Sequence, residues 1–133
     1  MPFQFTLLTP ERRAFDATVT QAIIPAHDGL MGFLTGRSPI ITMLGAGPLR
    51  VDLPEGRKRF FYIGGGVAQM KNNHLTLLSS EALAAEEIDP ATADAEYAEA
   101  SARRAIDEKA VKQREQAIAR ARAKREVARL KQA

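Results

Sequence analysis

The stretch PAHDGLMGFLTGRSPIITMLGAGPL, residues 25–49, concentrates the turn-forming residues of this chain. It contains five of the nine glycines and three of the seven prolines, with apolar residues between them. Glycine adopts backbone angles that other residues resist, and proline removes one hydrogen-bond donor from a strand. The stretch therefore predicts very short, buried strands joined by tight turns, with little room for a helix.

Strand patterns lie on both sides of this stretch. Alternating or β-branched segments are bounded by turn residues such as Pro54-Glu55-Gly56 and Asn72-Asn73. The triplet Gly64-Gly65-Gly66 predicts a strand crossing or a bulge, because no Lys-Ser/Thr follows it to make a phosphate loop. Many short strands with regular turns predict a β-sandwich or barrel. We expect strands at residues 4–8, 17–25, 30–34, 40–44, 48–53, 58–63, 67–71 and 74–78.

The composition changes after Ser80, beyond which there is no glycine and the only proline is Pro90. Asp89-Pro90 predicts a helix start, with the aspartate accepting backbone N–H bonds. Two alanine seams at helical spacing follow. The first comprises Ala91, Ala95, Ala98, Ala102 and Ala105, and the second Ala110, Ala117, Ala121 and Ala128.

The break between the two seams is weak, since residues 106–109 contain neither glycine nor proline. Asp107 is a candidate cap for a second helix. A helical hairpin and one continuous helix of about 40 residues are both compatible with this pattern. We therefore expect a tail that changes conformation, as a switch does.

Charge is distributed in opposite blocks along the tail. Residues 86–108 carry eight acidic and two basic side chains, whereas residues 109–133 carry nine basic and two acidic ones. Two helices folded against each other fit this pattern. The basic run is interpreted either as a solvated face that neutralises the acidic helix or as a docking surface for an acidic partner. Nucleic-acid binding is a weaker alternative, since no aromatic residue follows Tyr97.

No catalytic, metal or cofactor site is predicted. The chain has no cysteine, which excludes disulfides and thiolate ligands. No aspartate, cysteine or serine motif accompanies His27 or His74. We expect His27 at the surface and His74 at a strand start. No apolar run is long enough to span a bilayer, and the N-terminus shows no signal pattern. We expect a cytoplasmic protein.

Three motifs in order carry a resemblance to a known family. They are Pro25, Gly29, Gly32 and Leu34, then Gly36, Pro39 and Ile40, then Leu44, Gly47 and Leu49. A second block, FYIGGGVAQM at residues 61–70 followed by NHLTLL at residues 73–78, agrees with them. Together they resemble the epsilon subunits of bacterial rotary ATP synthases.

The resemblance implies a fold and a function. The fold is α+β, with an N-terminal antiparallel β-sandwich at residues 1–85 and a C-terminal two-helix hairpin at residues 86–133. The implied function is that of a non-catalytic central-stalk subunit that couples proton translocation to ATP synthesis. Its implied partners are the gamma subunit, the c-subunit ring and, for an extended tail, the catalytic beta and alpha subunits. The implied location is the cytoplasmic face of the inner membrane, held through partners only.

The resemblance also implies site residues. The c-ring contact loop comprises His27, Asp28, Leu30, Met31, Arg37 and Ser38, with Leu30 standing where the family often has a carboxylate. The inhibitory tail that would block ATP hydrolysis comprises Arg114, Arg120, Arg122, Lys124, Arg125 and Arg129. The nucleotide motif of some members matches at Ile88, Asp89 and Ala93. Thr92 replaces its arginine, so nucleotide binding is expected to be weak or absent.

Two alternatives to a switchable rotor subunit stay open at this point. One is a β-sandwich adaptor whose helical hairpin is permanent and has no regulatory role. The other is a nucleic-acid-binding module that uses the basic helix. The hydrophobic residues Leu30 and Met31 beside glycines are also interpreted as a partner surface, whereas Phe33 is assigned to the core.

Overall fold

Eight strands and two helices make up the described part of the computed structural model, which covers residues 2–26, 29–34 and 39–130. For Leu30, Met31, Phe33 and Leu34 it describes the backbone alone. The strands are β1 Phe3–Leu8, β2 Arg13–Val19, β3 Gln21–Ala26, β4 Gly29–Leu34, β5 Ile40–Asp52, β6 Lys58–Lys71, β7 His74–Ser79 and β8 Ala82–Ala84. A single 3₁₀ turn, Ala85–Glu87, leads to helices α1 Pro90–Ala102 and α2 Glu108–Leu130.

The strands form one sheet in the order β2-β1-β7-β6-β5-β3-β4, with β8 also paired to β6. Strands β5 and β6 are long enough to take part in both layers of a sandwich. One half of β6, residues 66–71, pairs with β7, and the other half, residues 61–63, pairs with β8. The buried core lies between the layers and contains Phe3, Phe5, Leu7, Ile24, Leu49, Val51, Phe61, Ile63, Met70, Leu75 and Leu77.

Two pairs of expected strands are each one continuous strand. Residues 40–44 and 48–53 belong to β5, and residues 58–63 and 67–71 belong to β6. The glycines in the middle of β6 lie against β5, with Gly64 opposite Ala46 and Gly66 opposite Leu44. Small residues at the bend let the two strands stay paired where they pass from one layer to the other.

Gly66 shows why a side chain is excluded at this bend. Its φ is +137°, and an added Cβ would lie 1.9 Å from the carbonyl oxygen of Leu78. Both the backbone angle and the space therefore require glycine. The prediction that the triplet marks a strand crossing is right in that β6 crosses between layers here without ending.

The expected strand at residues 17–25 is instead two strands that separate at Thr20. Strand β2 pairs with β1 in one layer, and β3 pairs with β5 in the other. The Thr20 N–H donates to the carbonyl oxygen of Asp52 at 2.8 Å, which holds the crossing point. Residues 17–25 favour a strand throughout, so the sequence pattern did not indicate this change of layer.

The predicted fold class, an α+β chain with an antiparallel β-sandwich and a two-helix hairpin, is confirmed. One detail differs, because β1 and β7 pair in parallel. The turn at Asn72-Asn73 is also confirmed, with φ of 53° and 61°. Among the described residues, no helix combines the length and the apolar character needed to cross a membrane.

Candidate functional site: an apolar stripe and a docked basic hairpin

An apolar stripe crosses the outer face of the sandwich on the layer that the helices leave uncovered. Leu8, Leu78, Val67 and Met43 are directly paired across β1, β7, β6 and β5. Met43 is 59% exposed and Leu78 55%, and Ile41 beside them is 70% exposed. Exposed apolar groups in a contiguous row are typical of an interaction surface.

The expectation that residues 40–44 form a buried strand is therefore wrong for two of its side chains. Alternate residues of a strand point to opposite faces. Leu44 points into the core, whereas Ile41 and Met43 point outward. The sequence has apolar residues at both odd and even positions of this strand, which indicates two apolar faces but does not show which face is covered.

A band of polar side chains lies beside the apolar stripe on the same face. The Thr6 hydroxyl is 2.8 Å from Nε2 of His74, and Gln4 donates to Asp16 across β1 and β2. His74 is the first residue of β7, as predicted. Because His74 is hydrogen-bonded to the neutral hydroxyl of Thr6, we assign its ring a structural role on this partly polar, partly apolar face.

The hairpin packs on the other layer through a second cluster, called here the docking cluster. Tyr62 and Val127 are fully buried at its centre, where β6 meets α2. Phe61 and Ile63 point into the sandwich core, so both faces of this half of β6 are covered. The docking cluster comprises Tyr62, Ala85, Ile88, Ala93, Ala123, Val127 and Ala128.

Tyr62 is held by a hydrogen bond as well as by packing. Its hydroxyl donates to Oε1 of Glu81 at 2.6 Å. Gly64 makes room for this acceptor, because a Cβ there would lie 2.6 Å from Cγ of Glu81. Burial, and secondarily the Glu81 hydrogen bond, raises the pKa of Tyr62. The phenol therefore stays protonated and donates while the hairpin is docked.

The basic residues assigned to an inhibitory tail all lie on α2, and most of them contact α1. Arg125 Nε is 2.9 Å from Asp94 Oδ1, and its guanidinium lies 4.4 Å from the Tyr97 ring centroid. A hydrogen bond from Arg122 lowers the pKa of the Tyr97 hydroxyl. Lys124 Nζ lies 3.1 Å from Glu96 Oε2.

The remaining three basic residues are placed differently. Arg114 donates to the Ser101 carbonyl at 3.3 Å, near the connection between the two helices. Arg120 and Arg129 are exposed on α2. Arg120 lines a groove of about 260 Å³ between the hairpin and Glu81. Pairing with the acidic helix, one of the two interpretations of the basic run, is thus what this conformation shows.

The predicted second alanine seam is buried except for Ala110, which is half-buried, but the first is wrong. Ala117, Ala121 and Ala128 face the interior, whereas the alanines expected along α1, Ala91, Ala95, Ala98 and Ala102, are exposed. Helix α1 instead buries Ala93 and Ala100. Alanines occur on several faces of α1, so periodicity alone does not select the face that packs.

Helix boundaries follow from the caps. Asp107 directly precedes α2, and its Oδ1 accepts from the Ala110 N–H at 2.7 Å, as predicted. Asp89 precedes α1 as predicted, but its side chain makes no cap bond to the backbone. Its Oδ2 accepts from the Thr92 hydroxyl at 2.7 Å instead. Between the helices, Ile106 is 91% exposed.

The segment that resembles a nucleotide motif is part of the docked hairpin. Ile88 and Ala93 are buried in the docking cluster, and the Thr92 hydroxyl is bonded to Asp89. Thr92 supplies no positive charge for a phosphate. Among the described residues, no group of histidine and acidic side chains is arranged to hold a metal ion.

The residues assigned to a c-ring contact loop lie outside the described part of the structure. This applies to His27, Asp28, Arg37 and Ser38, and to the side chains of Leu30 and Met31. The backbone of β4 is described and forms the last strand of the sheet order. The assignment of these residues stays a prediction.

Comparison with known proteins gives consistent matches. The sequence matches the family described as ATP synthase, Delta/Epsilon chain, beta-sandwich domain, over residues 2–85. An ATP synthase epsilon chain from a Synechococcus species is 37% identical over 101 residues, which cover 76% of this chain and 73% of that relative. One from Brucella anthropi is 35% identical over 106 residues, which cover 80% and 77%.

Solved structures agree with the sequence matches. A chain in the Euglena gracilis mitochondrial ATP synthase, in a structure of OSCP, F1 and c-ring, superposes with a TM-score of 0.84 at 27% identity. That match covers 96% of this chain and 81% of the other. A chain of the Tetrahymena thermophila mitochondrial central stalk and c-ring shares the fold, with a TM-score of 0.65 at 15% identity. The chain belongs to the ATP synthase epsilon-chain family, a family of non-catalytic subunits.

Proposed function

We propose that this chain is a central-stalk subunit with two working parts. Residues 1–85 form a rigid foot that joins the gamma subunit to the c-ring, so that proton translocation is coupled to ATP synthesis. Residues 86–133 form a switchable tail that inhibits ATP hydrolysis when it extends toward the catalytic subunits. The chain is held at the cytoplasmic face of the membrane through its partners.

The observation that carries this proposal is the exposed apolar stripe. Met43, Val67 and Leu78 lie in one row on a rigid sheet, and the hairpin of the same chain covers the opposite layer. We assign the apolar stripe to gamma. A stalk subunit must transmit torque, and a paired sheet transmits force better than a loop because its backbone is fixed by ladder hydrogen bonds.

The c-ring contact is assigned to the loop around β4, at residues 27–38. Among the described residues, β4 is the last strand of the sheet order, and the edge of a sheet is a surface that a partner can pair with. The apolar stripe and the β4 edge belong to different parts of the sheet order. One foot can thus hold gamma and the c-ring at once.

The tail is proposed to act as a steric and electrostatic brake. Helix α2 carries Arg120, Arg122, Lys124, Arg125 and Arg129, which would approach an acidic surface of the beta and alpha subunits after undocking. Mostly alanine side chains hold the hairpin, and each buries little apolar area at about 25 cal/mol per Å². A hairpin held this way differs from an extended form by a small free energy that partner contacts can overcome.

Gamma binding is tested with variants of the apolar stripe. Met43→Asp and Leu78→Asp are each expected to weaken binding to purified gamma by about 10-fold or more, since each buries a charge in an apolar contact. Ile106→Asp is the matched control, because it places the same charge on an exposed apolar residue away from the stripe. Equal affinities for all three variants would exclude the stripe as the gamma surface.

The brake is tested with the full chain in ATP hydrolysis by the catalytic head and gamma. The double variant Arg120→Glu/Arg129→Glu is expected to bind gamma normally and to release inhibition. Lys109→Glu/Lys112→Glu is the control, since it makes the same charge change at the start of α2. If wild type and both variants bind without slowing hydrolysis, the tail is the permanent hairpin of an adaptor.

A further inference from the structure

Lys124 occupies a distinctive place among the basic side chains of the described tail. Its ammonium nitrogen is 3.1 Å from Glu96 on α1 and 5.3 Å from the centroid of the Tyr62 ring on β6. It therefore contacts the other helix and the sandwich at the same time. The side chain is only 18% exposed, so water screens these contacts less than those of a surface pair.

The sandwich side of this contact is fixed in place. Tyr62 is fully buried, and its hydroxyl bond to Glu81 at 2.6 Å holds the ring edge. The side chain of Glu81 lies directly beside Gly64, where a Cβ would leave no room for it. Lys124 thus meets an aromatic face whose orientation is fixed by packing and by this hydrogen bond, and a cation over such a face is stabilised by the ring quadrupole.

We propose that Lys124, Glu96 and Tyr62 form a latch that holds the hairpin on the sandwich and keeps the basic face of α2 from acidic partners. Glu96 acts as an internal substitute for the acidic surface of the partner. The same positive charge cannot serve both, so the latch must open before the tail extends. This inference rests on the proposed tail function for its regulatory meaning, but the latch itself is a property of the isolated chain.

Neighbouring contacts show how the latch cooperates with the rest of α1. Arg125 pairs with Asp94 at 2.9 Å, but both side chains are well exposed. Exposed pairs of this kind contribute little. Lys124 is less exposed than Arg125 and also contacts the sandwich, so it controls docking. Arg125 contributes only to the contact between the two helices.

The latch is tested by hydrogen exchange of the full-length chain, measured by mass spectrometry on peptides from α2. Lys124→Met and Glu96→Gln are each expected to raise the open population of the hairpin by about 5- to 30-fold, and α2 exchange with it. Lys and Met have similar helix propensity, so helix formation itself is not altered. Exchange in the core peptides of β6 serves as the internal reference.

Two further variants separate the latch from general effects of charge. Lys112→Met removes the same charge from an exposed position of the same helix and is expected to leave α2 exchange unchanged. Lys124→Arg keeps the charge and is expected to retain most of the protection. Raising the ionic strength is expected to speed exchange in the wild type more than in Lys124→Met, because only the wild type has the ion pair to screen.

The outcomes separate the latch from the brake. If Lys124→Met and Glu96→Gln exchange like Lys112→Met, there is no latch, whatever the tail does in the complex. If both speed α2 exchange and Glu96→Gln also strengthens inhibition of ATP hydrolysis, the latch regulates the brake. If exchange speeds up but no form of the chain inhibits, the latch stands as a docking contact, and its regulatory part is overturned together with the proposed brake.

Discussion

Replacing Val127 by alanine tests whether α2 is truly packed on the sandwich. Val127 is fully buried at the centre of the docking cluster. The change removes the equivalent of two methylene groups, or ~1.6 kcal/mol of transfer free energy. A cavity that does not close adds up to about 1 kcal/mol. The better helix propensity of alanine returns about 0.5 kcal/mol. The docked state should lose about 1–2 kcal/mol.

Val111→Ala is the matched control for this prediction. It is the same substitution on the same helix, at a residue that is 38% exposed and lies outside both buried clusters. The gain in helix propensity is the same at both sites, so it cancels in the comparison. We expect Val111→Ala to change stability by no more than about 0.5 kcal/mol in either direction.

The assay combines urea unfolding of the full chain with hydrogen exchange of α2. A loss of about 1–2 kcal/mol corresponds to an increase of roughly 5- to 30-fold in exchange from the undocked state. The core peptides of β6 should keep their protection if the hairpin opens without unfolding the sandwich. Equal effects of Val127→Ala and Val111→Ala in both measurements would refute the docking of α2 through the cluster around Tyr62.

Two other predictions concern the bend in the sheet and the two tyrosines. In urea unfolding, Gly66→Ala should cost at least about 3 kcal/mol or prevent folding altogether. Gly29→Ala is the control, because Gly29 has the same φ of +137° but open space around it. It should cost only the backbone strain of about 1–2 kcal/mol. Tyrosinate absorbance should show two separate ionisations, because burial raises the pKa of Tyr62 and the Arg122 hydrogen bond lowers that of Tyr97. Since the folded state holds the Tyr62 proton more tightly, its contribution to docking is complete below the ordinary tyrosine pKa of about 10 and falls as pH rises above it. Tyr97→Phe should remove the first step only, and a single unresolved step in the wild type would contradict the burial of Tyr62.

Much of the tail could be predicted from the residues themselves. The position of the second helix follows from Asp107, whose carboxylate caps the backbone as expected. Acidic and basic blocks in succession indicated helices that pair, and Asp94 with Arg125 and Glu96 with Lys124 confirm it. These features depend on neighbours in sequence or on charge, which a linear pattern records.

The candidate sites could be predicted only in part. Tyr62 and Glu81 were missed, although the apolar run of residues 60–63 signals a strand covered on both faces. The apolar stripe was missed because the run around Ile41 and Met43 was taken as buried. In both cases the sequence showed that the residues are apolar, but it did not show which other part of the chain covers each face of the strand.

The order of strands before helices, the positions of turns and caps, and the division of charge between the two helices all follow from the linear pattern. The inward position of Ala93 and Ala100, with four other alanines of α1 facing outward, follows only from packing, as does the open face that carries Val67 and Leu78. The physical reason is that propensity and capping act over a few residues, whereas burial depends on which distant element is packed there. An alanine-rich helix and a strand apolar on both faces have no preferred side until that element arrives.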